Sequence, residues 1–429
     1  MGPRSRDPTR PSIQSPRVSP RALVLGAGLQ GASVSLALLR QGWSVTIVDQ
    51  ADDCLRRASL RNEGKVHLGF LFANDASLRT TDLMQEGALA FSPLLTEWLG
   101  EPVPWDAFTT APFCYCLGHS SMLPRDVLLA HYAAVEARFL DRLRDPARHY
   151  LGRRPSRLFH LMDPERDLPF LSRSYAAPLV QTAEVALDRT GFTQWFRDRF
   201  HGRERLTEHY GRRVEGVERR PGGFRASGRR RDGTAWHEDA DIVVNCLWDG
   251  RLAIDRTMGV APKRAWVHRL KYRVFVRLPP ALEGRLPPMT FVIGPYGDIV
   301  PFPEGLTYLS YYPLCIQGWT SDLEPPRDWD APCDGRPDPE FARHLARELV
   351  TKLDDAIPGL GASAIAHVDA GAIFTWGDTD IDDPESELHD RYDVGVEAYD
   401  GYFSIDTGKF TTAPLFADRL TRLVPAGVR

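Results

Sequence analysis

The chain has 429 residues, 43% of them hydrophobic and 26% charged, which is the composition of a soluble globular protein large enough for more than one domain. Its net charge of −4 gives no footprint for a nucleic-acid partner, and no apolar run approaches the roughly 18 residues of a membrane span. Only five of the 53 basic residues are Lys (Lys65, Lys263, Lys271, Lys352 and Lys409), which reads either as a bare compositional bias toward Arg or as marking places where an ammonium does something a guanidinium cannot.

Residues 1–21 carry five Pro, five Arg and no apolar pattern, which predicts a disordered tail. They contain no apolar stretch of the kind a secretory signal needs. The first ordered element is the apolar run Ala22–Leu25, a buried parallel strand. Gly26-Ala-Gly28-Leu-Gln-Gly31 follows, then a helix over 32–40 and a second strand over 44–48 ending at Asp49. Further helices are predicted over 81–99, 124–143, 339–353 and 411–424. Short strands are predicted at 213–217, 223–226 and 240–245, and 264–315 is aromatic and β-rich. Cys54, Cys114, Cys116, Cys246, Cys315 and Cys333 form no CxxC pair and no ligand spacing with His. They read as reduced core thiols of a cytoplasmic protein, and no metal site is expected.

GxGxxG is a weak signal by itself. Here a strand precedes it, a helix follows it, and an acid closes the second strand, which is the context of a dinucleotide site. Gly26 permits the tight turn, Gly28 lets backbone approach a pyrophosphate, and Gly31 lets helix and strand pack closely. The helix N-terminus offers N–H groups and partial positive charge to phosphate. Asp49 is placed to accept from a ribose diol, which favours NAD or FAD over NADP. No second βαβ unit follows Asp49, which counts against a nicotinamide dehydrogenase.

The segments after this unit carry a family resemblance. Ala58-Ser59, Asn62, Gly64 and Val66-His67-Leu-Gly69 resemble the D-amino-acid-oxidase (DAO) superfamily of FAD-dependent oxidoreductases. Asn62–Phe70 is similar to the corresponding stretch of L-2-hydroxyglutarate oxidases. Thr182-Ala-Glu184, Arg213-Val214 and Ala240–Asn245 follow in the family's order. Ser386–Arg391 and Thr407-Gly-Lys-Phe-Thr-Thr412 look like the terminal motifs of FAD-linked glycerol-3-phosphate dehydrogenases. Trp248-Asp249-Gly250 departs from the Ala-Gly-Ala-Trp-like sequence usual at that place.

The resemblance implies an α/β fold, with a Rossmann-like FAD-binding domain interleaved with a substrate domain on a mixed or antiparallel sheet. The expected FAD-binding parts are 22–110, 176–262 and 365–429, and the substrate parts 111–175 and 263–364. Bound FAD implies a cofactor set of Gly26, Gly28, Gly31, Asp49, Ser59, Asn62, Gly64, Val66, Val214, Gly408, Lys409, Phe410, Thr411 and Thr412. The expected reaction oxidises a CH–OH or CH–NH bond of a small anionic substrate by hydride transfer to flavin N5, with oxygen or another electron acceptor as the second partner.

Reduced flavin gains negative charge, so Lys409 and the helix that follows it suit the flavin edge. His67 is the general-base candidate; a packing role and a covalent flavin link are its alternatives. Arg391 is a candidate clamp for a carboxylate or phosphate. Lys65 is left open between cofactor phosphate and substrate, and Tyr296, Tyr308, Tyr311 and Tyr312 between substrate orientation and core. The rival readings are an NAD-dependent dehydrogenase and a flavoprotein with a non-redox or scaffolding role.

Overall fold

The structure, a computed structural model, describes residues 19–118, 121–172, 175, 178–292 and 297–425. Most of the predicted tail, and Tyr296, lie outside the described residues. Residues 19–21 do not behave as a tail. Arg21 opens the first strand, its N–H donates to Asp241 Oδ2 at 2.8 Å, and Ser44 N–H donates to the Pro20 carbonyl at 2.9 Å.

Four sheets are built from the described residues. In the first, strand β1 (Arg21–Leu25) lies parallel to β2 (Ser44–Val48) on one side and to Ile242–Asn245 on the other. Leu206–His209 and Tyr402–Asp406 extend the sheet in parallel, and Gly395–Tyr399 closes one edge antiparallel. Helix α1 (Leu29–Arg40), eleven of whose twelve residues are buried, packs with the helices Arg79–Leu99 and Ala413–Thr421. This is the layered arrangement that an apolar parallel strand requires on its faces.

The second sheet has nine strands, all paired antiparallel except Met289–Val292 with Cys114–Leu117. Its long strand Trp266–Arg277 pairs with Ala364–Trp376 along its whole length. The sheets therefore cut the chain differently from the boundaries expected above. Residues 365–376 and the strand Leu179–Thr182, both expected in FAD-binding parts, belong to the large sheet. The sequence near 178 and 364 carries no composition signal, so it offered nothing to place those cuts more accurately.

The helix Pro339–Asp354 covers the large sheet and starts on Asp338, whose Oδ1 accepts from the N–H of Glu340 and Phe341. A three-stranded meander, Arg212–Arg220, Gly223–Arg230 and Ala235–Ala240, stands beside the parallel sheet. All six Cys are free and buried. Cys114 and Cys116 share one core with Leu179, Met289 and Ile299, and burial pushes the Cys114 thiol up to about 12. Packing accounts for the Cys-Tyr-Cys pattern. Among the described residues, no helix is long and apolar enough to cross a membrane.

Candidate active site

The carboxyl ends of the parallel strands all deliver residues to one cavity of about 430 Å³. After β1 come Gly26 and Gly28, after β2 Asp49, after Asn245 Cys246 and Leu247, and after Asp406 Gly408 and Lys409. A crevice at these strand ends, where the order reverses on either side of β1, is the expected place for a ligand in such a sheet.

Backbone shapes the first end of the cavity. Gly26 has φ +94°, and a Cβ there would lie 2.7 Å from the Cys246 carbonyl oxygen. A Cβ at Gly31 would lie 1.8 Å from the Gly26 carbonyl oxygen, so α1 touches the strand turn directly. Helix α1 begins at Gly28 with no side-chain cap of its own and no acid in its first turn; Ser59 Oγ accepts from Leu29 N–H at 2.8 Å. Asp49 Oδ2 accepts from Ala27 N–H at 2.6 Å and Oδ1 from Ala51 N–H at 2.7 Å. Burial pushes the Asp49 carboxyl upward against these two bonds. Arg57 and Arg213 also line this end, and both are paired. Arg57 reaches Asp330 at 2.8 Å, Asp249 at 3.2 Å and Asp334 at 3.4 Å, and Arg213 reaches Glu324 at 2.5 Å.

Charged side chains from distant parts of the chain make the other end. His67 is 2% exposed. Its Nδ1 lies 3.4 Å from Glu184 Oε1, a long contact, and has no other polar partner among the described residues. Burial holds the imidazole below its usual range against the pull of Glu184. Arg269, Lys271 and Arg273 project from one face of Trp266–Arg277 as alternate residues of a strand must, and all three line the cavity. Arg273 forms a bidentate pair with Asp369, both distances 2.7 Å, and Arg269 reaches Asp380 at 3.1 Å.

Glu63 faces Lys271, Lys409 and Lys65. Burial opposes its charge, but these cations hold the carboxyl well below the usual range. Burial with Arg391 nearby lowers the Lys409 ammonium to about 8. Burial, with Arg269 adding to it, lowers Arg391 to about 9. The side chains of Arg391 and Lys409 make no salt bridge among the described residues.

Of the residues singled out from the sequence, Gly26, Gly28, Asp49, Ser59, Asn62, His67, Val214, Arg391, Gly408, Lys409 and Phe410 line this one cavity. Gly31, Gly64, Val66, Thr411 and Thr412 do not; they stand behind it. Thr411 Oγ1 accepts from His67 N–H at 2.9 Å, Thr412 Oγ1 donates to the Thr407 carbonyl at 2.6 Å, and the Val66 carbonyl accepts from Tyr150 at 2.7 Å.

Lys65 Nζ is held by Asp298 at 3.1 Å and Thr290 Oγ1 at 2.9 Å, which ties it to the large sheet. His389 is held by the Asp383 carbonyl at 2.9 Å. Tyr312 donates to Asp380 at 2.6 Å, a wall role. Trp248 donates to the Ala372 carbonyl at 2.9 Å while Asp249 pairs with Arg57, so the departing Trp-Asp-Gly segment stitches the two sheets together.

Sequence reasoning passed over Glu63, Arg57 and the pairing of Glu184 with His67. The sequence signal for Glu63 was limited to its being an acid inside the motif segment; the convergence of Lys65, Lys271 and Lys409 on Glu63 is visible only in the structure. Asp53, Cys54 and His201 are close enough together to ligate an ion. Arg197 already pairs with Asp53 at 3.1 Å and burial lifts the Cys54 thiol to about 12, so no metal site is assigned there.

The chain matches the family of FAD dependent oxidoreductases (DAO) over residues 21–423. It belongs to that family. No curated protein matches it by sequence. Among solved structures, glycine oxidase from Geobacillus kaustophilus superposes with a TM-score of 0.65 at 15% identity, covering 94% of each chain. L-proline dehydrogenase from P. horikoshii gives 0.62 at 14% identity, over 95% of this chain and 94% of that one. Glycerol-3-phosphate dehydrogenase from Bacillus halodurans, complexed with FAD, gives 0.56 at 15% identity, over 95% of this chain and 64% of that one.

This DAO-family enzyme is FAD-dependent, and its residues fit the cofactor. The Gly26 turn leaves no room for a side chain, the α1 terminus is uncapped, and Asp49 lies at the end of the second strand. These features suit either dinucleotide, and the family match decides the cofactor against the nicotinamide alternative.

Proposed function

We propose that this enzyme oxidises a CH–OH or CH–NH bond of a small anionic substrate, with Arg391 and Lys409 seating the anion and His67 accepting the proton. Bound FAD supplies the two-electron acceptor, and oxygen or another electron acceptor takes the electrons onward.

The observation that carries this reading is the state of Arg391. Its side chain is half-buried and lines the cavity without a carboxylate partner among the described residues, whereas the fully buried Arg251 and Arg273 are each paired. An unpaired charge loses part of its hydration in a cavity, and a planar fork facing a cavity is matched by a carboxylate or phosphate. Lys409 adds a second cation where the chain turns through Phe410–Thr412 into the helix Ala413–Thr421, which carries Pro414 in its first turn. Neutral His67 has an imidazole suited to take a proton near neutral pH. The structural neighbours named for glycine, L-proline and glycerol 3-phosphate all act on charged small molecules, which supports the same substrate class.

Anaerobic mixing tests the reading. Purified flavin-loaded protein is exposed to 2-hydroxy acids, amino acids and glycerol phosphates, with uncharged alcohols and amines as controls. At least one anionic compound should bleach the flavin absorbance in a saturable way. Equal bleaching by the uncharged controls would sink the proposal.

A further inference from the structure

Glu184 has no place in the chemistry described so far, yet it is completely buried next to the base. It sits between the strands Leu179–Thr182 and Val185–Ala186. Oε2 accepts from Leu68 N–H at 2.6 Å, so the carboxylate grips the residue that follows His67. Oε1 accepts from Tyr115 O–H at 2.5 Å and faces His67 Nδ1 at 3.4 Å. From the opposite side, Thr411 Oγ1 accepts from His67's own N–H, and Phe72 meets the ring edge-on at a centroid distance of 5.4 Å. His67 is thus fixed by three separate segments, and Nε2 has no partner among the described residues.

We propose that Glu184 is a positioning residue for His67, fixing the imidazole with Nδ1–H toward its carboxylate and the Nε2 lone pair toward the substrate. The inference rests on the base role assigned to His67 above. An ionised carboxylate has only lone pairs to offer, so it selects the tautomer with the proton on Nδ1. The free nitrogen is then a proton acceptor, and the imidazolium formed on accepting a proton is stabilised by the same carboxylate. The other charged groups around the ring explain why this matters. Burial, Lys65 and Lys409 all disfavour imidazolium, while Glu184 opposes them through its contact and its charge. Glu63 adds to the field from the cavity side and Tyr115 shares Glu184 Oε1. Removing the Glu184 charge therefore weakens the base and frees its tautomer.

The test uses flavin-loaded Glu184→Gln and Glu184→Asp, with flavin reduction followed in single turnovers across pH. The neutral amide should lower the reduction rate about 10–100-fold, the usual cost of losing the group that orients a functional His, with KM nearly unchanged. It should also move the acid limb of the rate profile to lower pH, because the charge that raised the imidazole is gone. Glu184→Asp keeps the charge and should hold the limb close to wild type. NMR titration of His67 should show the same order without turnover.

If Glu184→Gln does not accumulate as folded protein, Tyr115→Phe asks the same question with the opposite sign. Removing the donor from Oε1 strengthens the pull on His67 and should move the limb up. An unmoved limb in both Glu184→Gln and Tyr115→Phe overturns the proposal while leaving the base role of His67 intact. A wild-type acid limb in His67→Gln overturns the base role itself, and this proposal with it.

Discussion

The two ends of the cavity are built on different principles. At the dinucleotide end the work is done by main chain: a turn at Gly26, the start of α1, and Asp49 held by two N–H groups. The cations there, Arg57 and Arg213, are already paired with carboxylates. At the far end the cavity is lined by side chains from segments as distant as Glu63, Lys271, Arg391 and Lys409, and its cations Lys271, Arg391 and Lys409 make no salt bridge among the described residues. On the proposed reading, one end recognises the cofactor through shape and backbone and the other offers unsatisfied charge to a substrate.

The most direct way to break this contrast is Arg391→Met. Removing one partner of a buried charge interaction costs about 2–5 kcal/mol, so kcat/KM should fall about 10²–10³-fold while bound FAD per protein stays at wild type. Arg391→Lys should recover only part, since an ammonium lacks the planar fork. Steady-state kinetics with the best anionic substrate, together with the flavin-to-protein absorbance ratio, decide it. Loss of FAD in Arg391→Met would mean that the cofactor, and not the substrate, occupies that cation.

The mirror experiment is Gly31→Ala. Its Cβ would collide with the Gly26 carbonyl, and backbone cannot yield as a flexible side chain can. Overpacking costs about 1–3 kcal/mol, which predicts FAD binding weaker by about one to two orders of magnitude in a fluorescence titration. Restoring the cofactor by adding excess FAD should restore kcat, because the substrate end is untouched.

The same contrast explains what was legible in the sequence. Gly26, Gly28, Gly31 and Asp49 lie within one βαβ unit, so spacing alone placed them. Backbone recognition is local, and local patterns survive in a single sequence. His67, Lys409 and Arg391 were found only because family-like segments surround them. The roles of Glu63 and Glu184 were missed because their meaning lies in partners more than a hundred residues away, Lys271 for Glu63 and His67 for Glu184, or behind a strand pairing that no spacing encodes. The expected boundaries before 176 and 365 differ from the sheet membership for the same reason: which sheet a strand joins is decided by long-range pairing with Trp266–Arg277 or Cys114–Leu117. The Lys count was informative in part. Lys65, Lys271 and Lys409 converge on Glu63, while Lys263 pairs with Asp393 and Glu397, and Lys352 with Asp355.

pH sharpens the description of the charged end. In its proposed role as base His67 must be neutral, and burial holds it below its usual 6.5, so the acid limb of kcat/KM should lie below that value. Lys409 contributes only while protonated, and its ammonium is lowered to about 8, so its contribution is present below that pH and lost as pH rises through it. A rate plateau near neutrality with a falling limb near 8 is expected. Lys409→Arg should remove that basic limb, because guanidinium stays charged, and should lower kcat several-fold through its different reach. A basic limb that persists unchanged in the variant would assign it to another group.

The smallest effect should come from the paired cation of the dinucleotide end. Arg213→Gln breaks contacts to Glu324 at 2.5 Å and Gln50 at 3.0 Å, but its side chain keeps 24% of its surface in solvent and that of Glu324 keeps 33%. Pairs with that much solvent contribute about 0–1 kcal/mol and are screened by salt. FAD affinity should therefore change less than about fivefold, and the difference should shrink further as ionic strength rises, with kcat unchanged at saturating FAD. If Arg213→Gln instead matched the loss expected for Arg391→Met, the pairing seen at the dinucleotide end would have to break when the cofactor binds. Arg213 would then belong with the unpaired cations, as a group that exchanges its carboxylate for a phosphate.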